Sequence, residues 1–540
     1  MKEEPRNPLT EPIPPHQAAQ NRRLVRSTLS MTLPTVLSRI LGYFRDMLQA
    51  KFLGTGKGMD AFIIASLIPN LLRRLTAEGA MTAAFIPIFA QEKKDKTRDE
   101  LWTFANVFFF DLTLILTVLT VLGIVFAPLL VKIISPGYGR VPGKWELTIV
   151  LTKIMFPYIF LISLAALAMA ILNSFKKFVI PAFTPVLFNL SIITAALLFA
   201  ENADEPAYVF AVGVVLGGVL QLGIQIPFLY RQGMTFKFGL SFMHPAVKKV
   251  AKLMIPGIFG AGIYQINMLI SRMIATSLKD GSVSSLYYAS RIEELTLGLF
   301  AIALSIALFP TLSDLAARKD IEGMKKTLKF SFKLIFLITF PAMTGLLVLN
   351  QPIIQVLFQR GAFDAQSTAM SSWCLLFFAF GLPFISGTKI LAPMFFSLKD
   401  TKTPVFVAFF VMISYIGFSV ILMGPLRAGG IALALSLSSL INFVALFFLL
   451  EKKLGKIDKK DLLVSALKSA LSAVVMGGAI WLFMEQFDFE KLVFIEQISV
   501  VLAVILGGVI IYLIMNLLFK HEDLKSLKQA FSKDKILHKK

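Results

Sequence analysis

The chain has 540 residues, 56% of them hydrophobic and only 16% charged, with a formal net charge of +21. A soluble domain carries about a quarter charged residues, so the composition argues against a water-soluble globular protein and makes a membrane the expected solvent. The positive balance does not point to nucleic acid, because the Lys and Arg residues sit in short loops between apolar runs and not along one phosphate-tracking stripe.

Residues 1–26 read as a polar, cytoplasmic N-terminal tail with no short apolar core ahead of a small-residue cleavage site, so no cleaved signal peptide is expected. Apolar windows long enough to span a bilayer then follow at 27–53, 60–90, 101–134, 147–173, 179–200 and 206–230, which make a first lobe over 27–231. Six more, at 250–276, 283–314, 327–349, 368–396, 404–424 and 428–450, make a second lobe over 246–451. Two further spans, 462–486 and 495–519, fill the segment 462–519, and a basic cytoplasmic tail covers 520–540. The expected fold is therefore an all-α polytopic membrane protein of about fourteen helices. Its single cysteine, Cys374, permits no internal disulfide, and its four histidines all lie in loops or tails, so no metal or histidine-based site is expected.

Loop charge supports the even count. Clusters such as Lys93, Lys94, Lys96, Arg98 and Lys452, Lys453, Lys456 alternate with loops poor in Lys and Arg, which places both termini in the cytoplasm. An internal repeat is also visible. Ser174, Lys176 and Pro181 map onto Ser397, Lys399 and Pro404 with one constant offset, and the same offset carries Pro87 onto Pro310. Chance matching of common membrane residues is the alternative. Two parallel copies imply two lobes facing a central site, with the last two helices as an addition.

Charged residues within spans are costly and usually functional. The first span places Arg39 and Arg45 near mid-helix, beside Ser38; the second places Arg73 and Arg74 well inside; the eighth holds Arg291. Guanidinium forks match phosphate oxygens, so several in one cavity favour a multiply charged anion such as a diphosphate. The competing reading is local pairing, since Arg74 and Glu78 are four apart and Arg291 and Glu294 three apart on one helix face. Arg39 and Arg45 are six apart, about 120° around an ideal helix, and line one cavity only if it is wide or the helix bends at Gly42. Asp60 opens the second span, either as a gate or ion-pair partner of the arginines or as a carboxylate on its helix dipole. Lys153, Arg272, Lys333, Lys389 and Lys468 read as snorkelling side chains. No phosphate-binding loop, nucleophile elbow, metal motif or paired carboxylates suggest an enzyme.

At these residues the chain resembles the MurJ (MviN) family of lipid II flippases, within the multidrug/oligosaccharidyl-lipid/polysaccharide exporter superfamily. The resemblance is carried by Ser38–Asp46, Asp60-Ala-Phe62, Pro69-Asn-Leu-Leu-Arg-Arg74, Ala77-Glu-Gly79, Phe85-Ile-Pro87 and Tyr287-Tyr-Ala-Ser-Arg291. It implies a two-lobed, alternating-access flippase of the bacterial inner membrane that moves lipid II, the peptidoglycan precursor, outward for cell-wall synthesis. It further implies that Arg39, Arg45, Arg73 and Arg291 hold the diphosphate, with Arg74 and Ser38 beside them and Asp60 and Glu78 as gate or ion pair. The lipid tail would follow a groove reaching the last two helices, which equally suit plain packing. No cofactor is implied. Coupling to the membrane potential is expected, the coupling ion is left open, and a sodium site is doubtful because the second lobe lacks the acidic ligands. Membrane lipids and cell-wall synthesis proteins are the other expected partners. The alternatives are an exporter of another lipid-linked glycan, a multidrug antiporter, or a non-transporting scaffold for cell-wall enzymes. A basic cavity disfavours cationic drugs, and scaffolding leaves arginines at membrane depth unexplained.

Overall fold

The structure, a computed structural model, describes residues 15–74, 81–489 and 491–519, with side chains described from residue 32 onward except at 72, 82, 83, 256–264 and 299. The N-terminal tail to residue 14 and the tail 520–540 lie outside the described residues. Every regular element among the described residues is a helix.

Helices begin where a short polar side chain meets the orphan N–H groups of the first turn. Thr97 opens Arg98–Val125 with a capping box to Glu100, and Asp320, Asp364 and Asp458 open Ile321–Val348, Ala365–Ala379 and Lys459–Met484 by accepting one backbone N–H of the first turn. The first helix, Pro15–Leu53, is 39 residues long and starts ahead of the expected residue 27. The span expected at 60–90 is divided into Lys57–Arg73 and Met81–Asp95. Ser282–Leu297 continues through a π-helical turn, Gly298–Ile302, into Ala303–Ala317.

Ten described helices are long and apolar enough to cross a membrane. The count is eleven if Ala365–Ala379 and Leu382–Ser397, bent by 48°, form one broken span. Pro383 lies in the first turn after the break, and Ser436 Oγ donates to the Phe377 carbonyl at 2.6 Å, so the bend has both a cause and a compensation. The remaining expected spans, 27–53, 60–90 and 250–276, coincide with Pro15–Leu53, with Lys57–Arg73 and Met81–Asp95, and with Pro245–Thr276. Lys57–Arg73 and Met81–Asp95 are 17 and 15 residues long, each too short to span a bilayer alone.

The chain divides into two compact units. The first takes the described residues to Leu48 with Ser66–Ala127 and Val150–Ala261; the second takes Gln49–Ala65, Pro128–Ile149 and the chain from Gly262 onward. The first unit is built on an aromatic core in which Phe85, Phe89, Phe104 and Phe108 lie ring against ring, closed by Leu167, Ile171 and Leu229. The second has one core around Phe332, Met394, Phe395 and Leu450 and a smaller one joining Leu337, Met476, Ile480 and Tyr512. Large apolar side chains such as Leu506 and Leu517 stay exposed, as lipid contact allows and water does not.

The repeat is visible in the helix bounds. At the offset that carries Lys176 onto Lys399, the 28-residue helix Arg98–Val125 falls on the 28-residue Ile321–Val348. The ends at Ser174 and Ser397 coincide, as do the starts at Val179 and Lys402. Both copies end that helix alike. Lys177 N–H donates to the Leu172 carbonyl and Lys176 N–H to Asn173, while Asp400 N–H donates to Phe395 and Lys399 N–H to Phe396. Lys176 and Lys399 take φ of 58° and 59°, so each is the left-handed residue of a Schellman motif.

Candidate substrate-binding site

Arg39 is exposed on the first helix, whereas Arg45 is half-buried and held. Arg45 donates through Nε (3.1 Å) and Nη2 (2.7 Å) to Asp46, and through Nη1 to Asn189 Oδ1 at 3.0 Å. Asn189, on the Val179–Phe199 helix, donates in turn to the Ser38 carbonyl (3.0 Å) and Ser38 Oγ (3.3 Å). Ser38 and Arg45 are thus tied through one buried amide, while Arg39 stands exposed. Asn189 was not singled out from the sequence; its signal was an amide inside an otherwise apolar helix.

Arg73 and Arg74 are half-buried at the end of the Lys57–Arg73 helix. Glu78 lies outside the described residues. Arg39, Arg45, Arg73 and Arg74 belong to the first unit and Arg291 to the second. Arg291 follows the local-pairing reading: Nη1 donates to Glu294 at 2.8 Å, Nη2 to Tyr287 Oη at 3.1 Å, and the guanidinium stands 4.6 Å from the Tyr287 ring centre. Arg45 and Arg291 therefore each carry a carboxylate on their own helix. Their charge is partly spent there, and the argument from bare cationic excess is weaker for Arg45 and Arg291 than their sequence positions suggest.

Asp60 is an ion-pair residue, but its partner is not one of these arginines. It is 1% exposed and pairs with Lys144, itself 2% exposed, at 2.7 Å. Its carboxylate also accepts from Gly281 N–H (3.0 Å), Ser284 N–H (2.7 Å) and Ser284 Oγ (2.7 Å). It therefore caps the N-terminus of Ser282–Leu297, a helix other than its own, where the helix dipole favours a negative charge. Gly281 turns into that helix with φ of 86°, and a Cβ there would lie 3.0 Å from the Thr55 carbonyl oxygen, so glycine is required twice over. Lys144 reaches Asp280 at 2.5 Å as well and stands 4.1 Å from the Tyr138 ring centre. Burial, with Asp60 and Asp280 adding to it, pushes the Tyr138 phenol well above its ordinary value, so it remains the donor of its 3.1 Å bond to the Asp60 carbonyl. All of these residues lie in the second unit.

The residues read as snorkelling divide. Lys153 is exposed, but Lys333 pairs with Asp461 at 2.9 Å and Arg272 donates to the Val283 carbonyl at 3.0 Å. Lys329 also reaches Asp461 and, at 3.0 Å, Asp458, so a charged cluster joins Ile321–Val348 to Lys459–Met484.

The family model described as "Lipid II flippase MurJ" matches residues 49–502, which include every one of these described site residues except Ser38, Arg39, Arg45 and Asp46. The chain belongs to the lipid II flippase MurJ family. Among curated relatives, it is 34% identical over 473 residues to a "Probable lipid II flippase MurJ" of Vibrio cholerae, covering 85% of this chain and 89% of the relative. It is 36% identical over 434 residues to a "Lipid II flippase MurJ" of Burkholderia cenocepacia, covering 80% and 84%. Among solved structures, it resembles "Lipid II flippase MurJ, inward closed conformation", with TM-score 0.76 at 29% identity over 91% of this chain and 99% of that one. An inward-facing multidrug transporter of the MATE family matches at TM-score 0.66 and 14% identity over 80% of this chain and 99% of that one. That second likeness is one of fold alone.

Proposed function

We propose that this multi-pass membrane protein moves lipid II from the cytoplasmic to the outer leaflet of the bacterial inner membrane, by alternating access and without catalysing a covalent step. The observation that carries this reading is the family match over residues 49–502, together with relatives named as lipid II flippases at 34–36% identity over most of both chains.

In this reading Arg39, Arg73 and Arg291 contact the diphosphate, with Arg74 beside them, and Arg45 is oriented for it by Asp46 and Asn189. Guanidinium donors suit phosphate oxygens because they stay charged and present a planar fork. Glu294 keeps Arg291 extended until the substrate's larger charge displaces it. The Asp60–Lys144 pair serves as a gate contact, since it anchors the start of the helix that carries Arg291. The exposed faces of Lys459–Met484 and Phe494–Leu518, with Leu467, Leu471, Leu506 and Leu513 outward, offer the lipid tail an apolar path. Moving an anion out of a negative interior gains about 2.3 kcal/mol per charge per 100 mV, so the membrane potential suffices as a driving force without a dedicated ion site. Both termini lie in the cytoplasm, on the side of the Lys- and Arg-rich loops.

The test is reconstitution of the full chain with labelled lipid II and an externally added enzyme that attacks only substrate on the far leaflet. Time-dependent conversion that requires the protein is the expected result. Conversion no faster than in protein-free vesicles, in a preparation that binds lipid II, removes the reading. The family match leaves the drug-antiporter and scaffold readings without a supporting observation.

A further inference from the structure

A pocket of about 280 Å³ opens in the first unit where Met81–Asp95, Arg98–Val125, Pro157–Ser174 and Ile226–Gln232 end or begin, and four cations, Lys93, Lys96, Arg98 and Arg231, line it with Trp102 and Phe175. No carboxylate lines it among the described residues. Glu100, exposed and 3.6 Å from Lys96, also closes the Thr97 capping box; Glu92, Asp95 and Asp99 are the other acids on these two helix ends. The positive charge is thus only partly offset.

The floor is built and not merely basic. Trp102 is 6% exposed and stacks on Phe175 with ring centres 5.6 Å apart at 15°, and Lys93 Nζ stands 3.9 Å from the Phe175 ring centre. Among the described residues, Trp102 Nε1 is a buried donor with no acceptor. Such a group marks a place where an acceptor atom belongs. Trp102 Nε1 stands beside Gly233, whose φ is 109°. A Cβ at Gly233 would stand 2.8 Å from Arg98 Nη2 and 3.0 Å from Trp102 Nε1, so both donors lie against the Gly233 backbone and a side chain there would crowd them. Arg98 Nη2 donates there to the Gln232 carbonyl at 3.0 Å, which holds the guanidinium in place.

The repeat offers an internal comparison. At its constant offset, Lys93, Lys96, Arg98, Trp102, Phe175 and Arg231 become Ala316, Lys319, Ile321, Lys325, Leu398 and Leu454. One cation of the lining survives and both aromatics are gone, so the shared framework does not by itself create the pocket.

We propose that this pocket binds the phosphate of an anionic membrane phospholipid at the basic ends of the helices. The volume is at the small end for ligand pockets, roughly 300 Å³, and takes a phosphate with a short headgroup but no glycan. Basic pockets between helices on the cytoplasmic side are suited to acidic headgroups. A lipid fits better than free phosphate because the chain leaving the pocket is apolar and outward: Tyr230, Phe238, Phe242 and Met243 are all exposed, and Tyr230 packs on Phe236, which packs on Phe109. The inference does not depend on lipid II being the substrate.

The experiment is native mass spectrometry of the full-length protein with phosphatidylglycerol or phosphatidylcholine, with millimolar inorganic phosphate as a competitor. Wild type retains phosphatidylglycerol in preference to phosphatidylcholine. Arg98→Gln with Arg231→Gln weakens that binding by about a hundredfold or more, as expected for the loss of two charge-assisted contacts. Trp102→Phe keeps the ring stack, removes the N–H and weakens binding about fivefold. Lys325→Gln with Lys326→Gln, an equal loss of charge elsewhere, leaves it within about twofold. The proposal falls if the first variant binds phosphatidylglycerol as wild type does, or if the Lys325/Lys326 variant loses as much. It falls also if inorganic phosphate displaces the lipid fully, which would make the pocket a free-anion site. Thermal unfolding in phosphatidylcholine checks that each variant is folded.

Discussion

Asp60 and Lys144 form an ion pair at 2.7 Å with both side chains almost entirely out of solvent. The pair is not isolated: Asp60 keeps Gly281 and Ser284 as donors, and Lys144 keeps Asp280 as a second acceptor. Removing one partner of a buried pair leaves an uncompensated charge and typically costs about 3–5 kcal/mol. Because Asp60 retains the helix N-terminus, Lys144→Met is expected at the low end, about 3 kcal/mol. Asp60→Asn removes the charge but keeps an acceptor, and is expected to cost less. The double variant should recover about 1–3 kcal/mol relative to the sum of the two. Chemical unfolding in detergent micelles measures all three, and strict additivity would show that the two side chains are not coupled.

Arg291 is bonded to Glu294 and Tyr287 on its own helix, so its loss has two explanations, a broken local pair or a missing substrate contact. The Arg291–Glu294 pair is partly exposed, and such pairs are worth only about 0–1 kcal/mol. Arg291→Ala is therefore expected to leave the fold intact while reducing lipid II flipping to less than about a tenth, the scale of one charged hydrogen bond at 1.5–3 kcal/mol. Glu294→Ala should transport within about twofold of wild type. The deciding variant removes both. If Arg291 served only to neutralise Glu294, the double Ala variant would regain activity; the substrate reading expects it to stay inactive. The same flipping measurement applies to Arg39→Ala and Arg73→Ala, and wild-type activity in all three single variants would remove these arginines from the site.

Asp400 gives a pH signature outside the spans. Lys453, bonded at 2.7 Å, and Thr403, donating from both N–H and hydroxyl, hold its carboxyl well below the ordinary 3.8. A depressed carboxylate stabilises the folded state above its unfolded pKa, and that contribution fades as pH falls through the folded value. The Asp400 share is thus fully present at neutral pH and declines below about pH 4. Asp400→Asn should lower the melting temperature at pH 7, and the gap to wild type should close as pH drops below 4. Because Lys453 is partly exposed, added salt should narrow the gap at pH 7. A gap that persists unchanged at low pH would assign the effect to Thr403 geometry instead of charge.

The helices, the repeat and the family were legible because they are written in local terms: runs of apolar residues, short charged loops, and a motif recurring at one offset. Arg291–Glu294 was equally legible, since a spacing of three puts both on one face. Arg45–Asp46 was not, because adjacent residues on a helix diverge, and only the length of the arginine lets it fold back. The partners of Asp60 were hidden for a different reason. Lys144 is 84 residues away and Ser284 is 224, and no periodicity connects an acidic first turn to the N-terminus of a distant helix. Asn189 was hidden likewise, its role set by the neighbour it packs on and not by its own helix.

The two Schellman turns permit a matched pair of substitutions. Lys176 and Lys399 hold φ near 58° at the residue after the helix end, both with exposed side chains. A residue with a Cβ strains there by about 1–2 kcal/mol, while glycine relieves the strain but loses about 0.5–1 kcal/mol of chain entropy on folding. The balance favours glycine by roughly 0.5–1 kcal/mol at each site. Lys176→Gly and Lys399→Gly should therefore each stabilise the protein, by similar amounts, because both turns make the same pair of backbone hydrogen bonds. Lys176→Ala and Lys399→Ala, which keep the Cβ and remove the charge, should stay close to wild type, separating backbone strain from loss of a basic loop residue. Unfolding in micelles compares the four variants. If glycine were no better than alanine at either position, the left-handed turn would not be strained as its geometry implies; opposite signs at the two positions would break the equivalence of the copies.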